Sequence, residues 1–164
     1  MVKGDDMNRS TFFVVALVAV WLAAGGAMAG HDAVTGKCIK VIDGDTLVVK
    51  CDSSERTVNV AGIDAPELDQ PWGKEIRSFV RDMVRGQQVE LDVLESSADQ
   101  VTARVMVNGT DLAELLVGRG LAWVQQSNDD GELNDLATRA REMPCGLWTD
   151  PAPVPPWEYR AVSS

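Results

Sequence analysis

Cys38-Ile39-Lys40-Val41-Ile42-Asp43-Gly44-Asp45-Thr46-Leu47-Val48-Val49-Lys50-Cys51 sets two β-rich runs on either side of a single Asp-Gly-Asp. Gly and Asp tolerate the tight backbone of a reversal, whereas Val, Ile and Thr favour a pleated strand, so the segment reads as a hairpin. With Gly44 and Asp45 as a two-residue loop, counting outward sets Cys38 across from Cys51. In that register the two fall at a non-hydrogen-bonded pair, where side chains come close, and an oxidising compartment would permit a disulfide. Cys145 is then the odd thiol; a bridge from Cys145 to either partner and three buried free thiols are the alternatives.

Working outward, Arg56-Thr57-Val58-Asn59-Val60 forms a third strand that runs into Ala61-Gly62-Ile63-Asp64-Ala65-Pro66-Glu67. Pro66 fixes its own φ and keeps Ala65 extended, so Asp64 and Glu67 flank a stiff turn. Trp72, Ile76, Phe79, Val80 and Met83 then recur at helical spacing, opposite Lys74, Glu75, Arg77, Arg81 and Asp82, and Gly86 ends the helix. Two alternating runs follow, Val89-Leu91-Val93 and Val101-Ala103-Val105-Val107, closed by Asn108-Gly109. Leu112, Leu115 and Leu116 mark a short helix with Asp111 and Glu114 at capping-box spacing. Leu133, Leu136, Ala137 and Ala140 mark a last helix that Met143-Pro144 stops.

Five short strands with a helix between the third and fourth predict a mainly β chain with α elements: a five-stranded barrel of the OB type carrying about three packed helices. Residues 151–164 begin Pro151-Ala152-Pro153-Val154-Pro155-Pro156-Trp157, a composition that predicts an extended strap, with Trp148 and Trp157 covering apolar surface.

At the other end, Met7-Asn8-Arg9-Ser10 precedes the apolar run from Phe12 to Ala24, which loosens into Gly25-Gly26-Ala27-Met28-Ala29. Residues 1–29 therefore read as a signal peptide cut after Ala29, leaving one domain over 30–150 and a product exported to the periplasm or outside the cell. A retained anchor is the alternative, since the apolar segment counted through Ala29 approaches the length of a span. With cleavage, no stable membrane insertion is expected. The net charge of −10 lies in the remainder, because Lys3 and Arg9 cancel Asp5 and Asp6. Nonspecific nucleic-acid binding draws on Lys and Arg neutralising phosphates, so a long polyanion would be held weakly outside a local basic patch.

Asp45 at the hairpin end, Asp64 at a strand end and Glu67 past the proline turn are carboxylates displayed at element ends. Brought within a few ångströms they repel unless protonated or bridged by a cation. Oxygen ligands suit calcium or magnesium, whereas zinc would want His or Cys. His31, the sole histidine, stands at the mature N-terminus, which argues against zinc and against histidine-driven chemistry.

Val41-Ile42-Asp43-Gly44-Asp45-Thr46, Ala61-Gly62-Ile63-Asp64-Ala65-Pro66-Glu67, Gln70-Pro71-Trp72-Gly73-Lys74-Glu75, Gly146-Leu147-Trp148 and Pro156-Trp157-Glu158-Tyr159-Arg160, in this order and spacing, resemble the staphylococcal nuclease (thermonuclease) family. The resemblance implies an OB barrel and Ca2+-dependent cleavage of DNA and RNA phosphodiesters. It implies that Asp45, Asp64 and the backbone carbonyl of Ala65 hold Ca2+, with Thr46 supporting them, and that Glu67 orients or deprotonates the attacking water. The family's two phosphate-binding arginines fall on Asn59 and Gln100, so both charged clamps are replaced by amides. The expectation is a weak or altered phosphodiesterase acting on single-stranded DNA, RNA or a small nucleotide. The alternative is a noncatalytic barrel that binds a divalent cation, a small anionic ligand or a protein partner.

Overall fold

A computed structural model of the protein describes residues 33–97 and 100–163. The proposed signal peptide and His31 lie outside the described residues, as do Ala98 and Asp99. Among the described residues no helix is long and apolar enough to cross a membrane.

Five strands make a closed barrel: β1 (Val34–Val41), β2 (Thr46–Cys51), β3 (Ser54–Val60), β5 (Gln88–Ser96) and β6 (Gln100–Val107). Their order is β3-β2-β1-β5-β6, antiparallel throughout, and a parallel pairing of β3 with β6 returns the sheet to its starting strand. Closure leaves every strand of the barrel paired on both sides, which removes exposed edges. The alternation read from sequence points inward: Leu47 and Val49, Val58 and Val60, Val89 and Leu91, and Val101, Ala103, Val105 and Val107 are all buried. Short β7 (Thr110–Asp111) pairs antiparallel with the end of β6, while β4 (Ile63–Asp64) pairs with β8 (Trp123–Val124) as a separate ribbon.

Helix α1 (Gly73–Val84) buries Ile76, Val80 and Val84 and packs on β1. Trp72, expected on the apolar stripe, instead precedes the helix at φ 74° with about a third of its surface exposed. Helix α2 (Leu112–Gly118) is capped by Asp111, whose carboxylate accepts from the Glu114 N–H as the capping-box spacing predicts. Helix α3 (Gly131–Glu142) lies against α2. The tail departs from expectation: residues 151–155 form no helix or strand, with bends at Pro151 and Ala152, and Pro156 opens a fourth helix, α4 (Pro156–Ser163). Proline lacks only an N–H that the first helical turn leaves unbonded anyway, and its φ already suits a helix, so a proline-rich approach can start one. Trp148 and Trp157 both pack against the core, with Trp148 edge-on to Trp123 at 5.2 Å between ring centres.

The hairpin register also differs from expectation. The loop is Asp43-Gly44-Asp45, closed by the Ile42 N–H donating to the Thr46 carbonyl at 2.8 Å, and an irregularity between Cys38 and Lys40 shifts the ladder once more. Each shift moves the pairing by one residue. Cys38 consequently sits opposite Val49, and the Cys51 thiol packs over Gly36, where a Cβ would meet its Sγ at 2.7 Å. Cys38, Cys51 and Cys145 are free thiols, and burial pushes those of Cys38 and Cys51 up.

Candidate functional site

Asp45 ends the hairpin loop, and its placement starts with Asp43. The Asp43 carboxylate accepts from the N–H groups of Asp45 (3.2 Å) and Thr46 (2.7 Å), a side-chain-closed turn of the kind Asp favours. Gly44 lets this tip approach the next segment, since a Cβ there would meet Ala65 Cβ at 2.6 Å and Ile76 Cγ2 at 2.8 Å. The tip is then stitched down: the Val60 N–H donates to the Asp45 carbonyl at 2.8 Å, and the Ala65 N–H donates to Asp45 Oδ2 at 2.7 Å. The Thr46 hydroxyl donates to Asp45 Oδ1 at 3.2 Å.

The carboxyl of Asp45 is pushed up to about 8, first by burial and then by the negative charges of Asp43 and Asp64, against the opposing pull of the Ala65 N–H. A carboxyl in such surroundings takes a proton unless positive charge is supplied. The donor set offered by Asp45, Asp64 and the Ala65 carbonyl is oxygen only, the chemistry of a hard cation, so these residues fit calcium or magnesium. Among the described residues no group of three or more His, Cys, Asp or Glu side chains comes together in a form that could hold a metal. Asp45 and Asp64 would be the carboxylates that hold such an ion, with the Ala65 carbonyl beside them.

Asp64 closes β4, opposite Trp123 of β8. Beyond it the turn from Ala65 to Gly73 is held by Gln70, which is only 5% exposed. Its Oε1 accepts from the Glu67 N–H at 3.2 Å, its N–H donates to the Glu67 carbonyl at 3.0 Å, and its Nε2 donates to the Val154 carbonyl at 2.6 Å. Gly73 packs its Cα against the Glu67 carbonyl where any Cβ would collide.

Both carboxylates meet an arginine that sequence reasoning passed over. Arg160 of α4 places Nη1 at 3.1 Å from Asp64 Oδ1 and 2.7 Å from Glu67 Oε1, and Nη2 at 2.7 Å from Asp64 Oδ2. These bonds raise the Arg160 guanidinium further above its already high range, the contact with Asp64 counting most. The helix is seated next door by the Tyr159 hydroxyl, which donates to the Asp69 carbonyl at 3.1 Å. The only sequence signal was that Arg160 ends the block Pro156-Trp157-Glu158-Tyr159-Arg160; nothing local said where it would point.

On the other flank of Asp45 lies a cleft of about 430 Å³ lined by Asp45, Asn59, Glu95, Thr102, Gln125 and Ser127, among others. A smaller hollow of about 190 Å³ continues along Asn59, Glu95, Thr102 and Gln100. The structure therefore brings Asn59 and Gln100 to one hollow and Asn59 to Asp45. Asn59 stands on β3 opposite Thr46, and Gln100 on β6 opposite Thr57. Glu95 reaches the cleft beside a register shift between Val93 and Glu95 that interrupts the alternation of β5. Neither lining includes Lys or Arg. Nearby arginines are engaged elsewhere: Arg104 pairs with Asp111 and with Glu114 at 2.6 Å, Arg77 donates to the Val41 carbonyl at 3.2 Å, and Arg81 donates to Ser78 at 2.7 Å.

Comparison with known proteins agrees with this fold. The sequence pattern of the family described as Staphylococcal nuclease homologue matches residues 57–150. An uncharacterized endonuclease of Escherichia coli is 32% identical over 128 residues, covering 76% of this chain and 84% of that protein. A micrococcal nuclease of Shigella flexneri is 29% identical over 143 residues, covering 78% of this chain and 81% of its own length. Protein ParB of Escherichia coli is 30% identical over 174 residues, covering 96% and 97% respectively. With a closed barrel, a family match over more than half of its length and a relative 32% identical across 76% of it, the chain belongs to the staphylococcal nuclease homologue family.

Proposed function

We propose that this protein is an exported, Ca2+-dependent phosphodiester hydrolase acting on single-stranded DNA or RNA, with activity weakened by the amides at positions 59 and 100. The observation that carries this reading is the joining of Asp45 to the Asp64 turn by the 2.7 Å hydrogen bond from the Ala65 N–H. It puts two carboxylates at the end of the barrel with a third, Glu67, just past the proline. Export rests on the apolar run from Phe12 to Ala24 and the small residues Ala27 and Ala29 that follow it.

A bound Ca2+ would supply Lewis acidity to a phosphate oxygen and neutralise the charge that gathers there. Asp45, Asp64 and the Ala65 carbonyl would hold it. Glu67 accepts a proton from the attacking water as the water oxygen bonds to phosphorus, and the leaving oxygen departs with the electron pair of its broken P–O bond and takes a proton from solvent. Asn59 and Gln100 donate neutral hydrogen bonds to equatorial oxygens, where a guanidinium would bring charge. By analogy with deleting one oxyanion donor, each replacement costs roughly 3 kcal/mol, or about 10²–10³ in rate, and the two need not add.

The cleft supports a second reading. Its Glu95, amides and hydroxyls face a ligand without a cation among the lining residues, a surface better matched to noncatalytic binding than to a phosphodiester backbone.

Incubating the mature protein with single-stranded DNA and Ca2+, beside an Asp64→Ala control, separates them. Calcium-dependent cleavage lost in the control supports hydrolysis; no cleavage by either protein favours the noncatalytic reading.

A further inference from the structure

Arg160 holds both oxygens of the carboxylate that a divalent cation would need. Its fork spans Asp64 Oδ1 (3.1 Å) and Oδ2 (2.7 Å) while reaching Glu67 Oε1 (2.7 Å). A carboxylate committed on both oxygens to a guanidinium gives less to a second cation, and the two cations repel each other at such range. Arg160 and the ion therefore compete for Asp64.

Yielding Asp64 does not require undocking α4. The helix keeps separate anchors in the Tyr159 hydroxyl on the Asp69 carbonyl and in Trp157 against the core, and the neighbouring strap is tied by Gln70 to Val154. The Arg160 side chain itself is 49% exposed, so its long stem has room to turn. A guanidinium leaving Asp64 stays close to Glu67, on the flank where an attacked phosphate would lie. The opposite cleft offers amides in place of arginine, and Arg77, Arg81 and Arg104 are held by other partners.

We propose that Arg160 is the phosphate-binding arginine of this protein, stored on Asp64 and Glu67 and released from Asp64 when a divalent cation takes that carboxylate. The inference rests on the cation-dependent hydrolase reading above. It relocates to the C-terminal helix the positive charge missing from the cleft, and it makes phosphate binding conditional on the cation.

Calorimetric titration of Ca2+ into the mature wild type, Arg160→Gln and Arg160→Lys tests the storage step, with Glu158→Gln on the exposed side of the same helix as a control. A fluorescent single-stranded phosphorothioate oligonucleotide, resistant to cleavage, then reports phosphate binding with and without saturating Ca2+. Arg160→Gln should bind Ca2+ about tenfold more tightly than wild type. It should also lose about tenfold or more of the Ca2+-dependent oligonucleotide affinity. Arg160→Lys, a point charge without the fork, should fall between, and Glu158→Gln should match wild type. Calcium affinity unchanged or weakened in Arg160→Gln, or oligonucleotide binding unchanged, would overturn the inference while leaving the hydrolase reading intact. If wild type and Arg160→Gln alike bind no Ca2+, the inference and the cation-dependent reading fall together.

Discussion

Asp45 has two flanks of opposite character. On one side Asp64 and Glu67 are gathered onto the Arg160 guanidinium, whose single positive charge offsets one of their two negative charges. On the other side Asn59, Gln100, Gln125, Thr102 and Ser127 line a cleft whose one additional charge, Glu95, has the same sign as Asp45. The barrel builds both flanks from regular elements; what differs is the direction from which charge arrives. In the cleft, β3 and β6 supply it at fixed register and supply amides. At the turn, the C-terminal helix supplies it from outside the barrel, and arginine arrives. On the proposed reading, a phosphate approaching Asp45 would meet its positive charge on the turn side, and the cleft side would offer it neutral donors.

Altering the turn should have the largest effect. Glu67→Gln keeps the shape of the residue and removes its capacity to take a proton, so cleavage should fall roughly 10²–10⁴-fold with little change in Ca2+ affinity, read from rates at saturating substrate. Cleavage unaffected by that change would remove Glu67 from the chemistry.

Filling the cleft should come next. Asn59→Arg or Gln100→Arg restores a charged fork to the amide flank, and each should raise the cleavage rate by about 10²-fold, with the pair giving less than the product. If neither changes the rate, the contrast between the flanks has no kinetic meaning.

A smaller effect is expected where the turn is built and no chemistry occurs. Gln70→Ala removes a buried side chain and with it two part-buried hydrogen bonds, to the Glu67 N–H and the Val154 carbonyl, which should cost about 1–3 kcal/mol in urea unfolding. Glu67 loses its backbone support in the same variant, so activity should fall together with stability.

The smallest effect expected is none. Because Cys38 faces Val49 and all three thiols are free, a reducing agent should leave the melting temperature unchanged, and thiol titration of the unfolded protein should find all three. A marked drop in melting temperature on reduction would contradict the observed register.

These sites differ in how legible they were. The barrel could be read because inward residues alternate within single strands, and Asp111 with Glu114 announced its helix because a cap is a local bargain between neighbours. Asp45, Asp64 and Glu67 could be read as carboxylates at the ends of elements, and Asn59 and Gln100 were singled out through the resemblance alone. The thiol pairing could not: a three-residue loop and an irregularity near Ile39 each slip the ladder by one residue, and neither leaves a mark in composition. Glu95 reached the cleft in the same way, beside the irregularity near Leu94. Arg160 was the hardest, because its partners lie 93 and 96 residues away and its direction depends on Pro156 starting a helix where prolines suggested extended chain.

The central claim is that Asp45 and Asp64 together hold one divalent cation. Calorimetric titration of Ca2+ into the mature protein and into Asp45→Asn tests it most directly, since that change removes the charge and keeps an acceptor for the Ala65 N–H. The account predicts a single binding event in the wild type and its loss in the variant. Equal binding by both proteins, or none by the wild type, would contradict it.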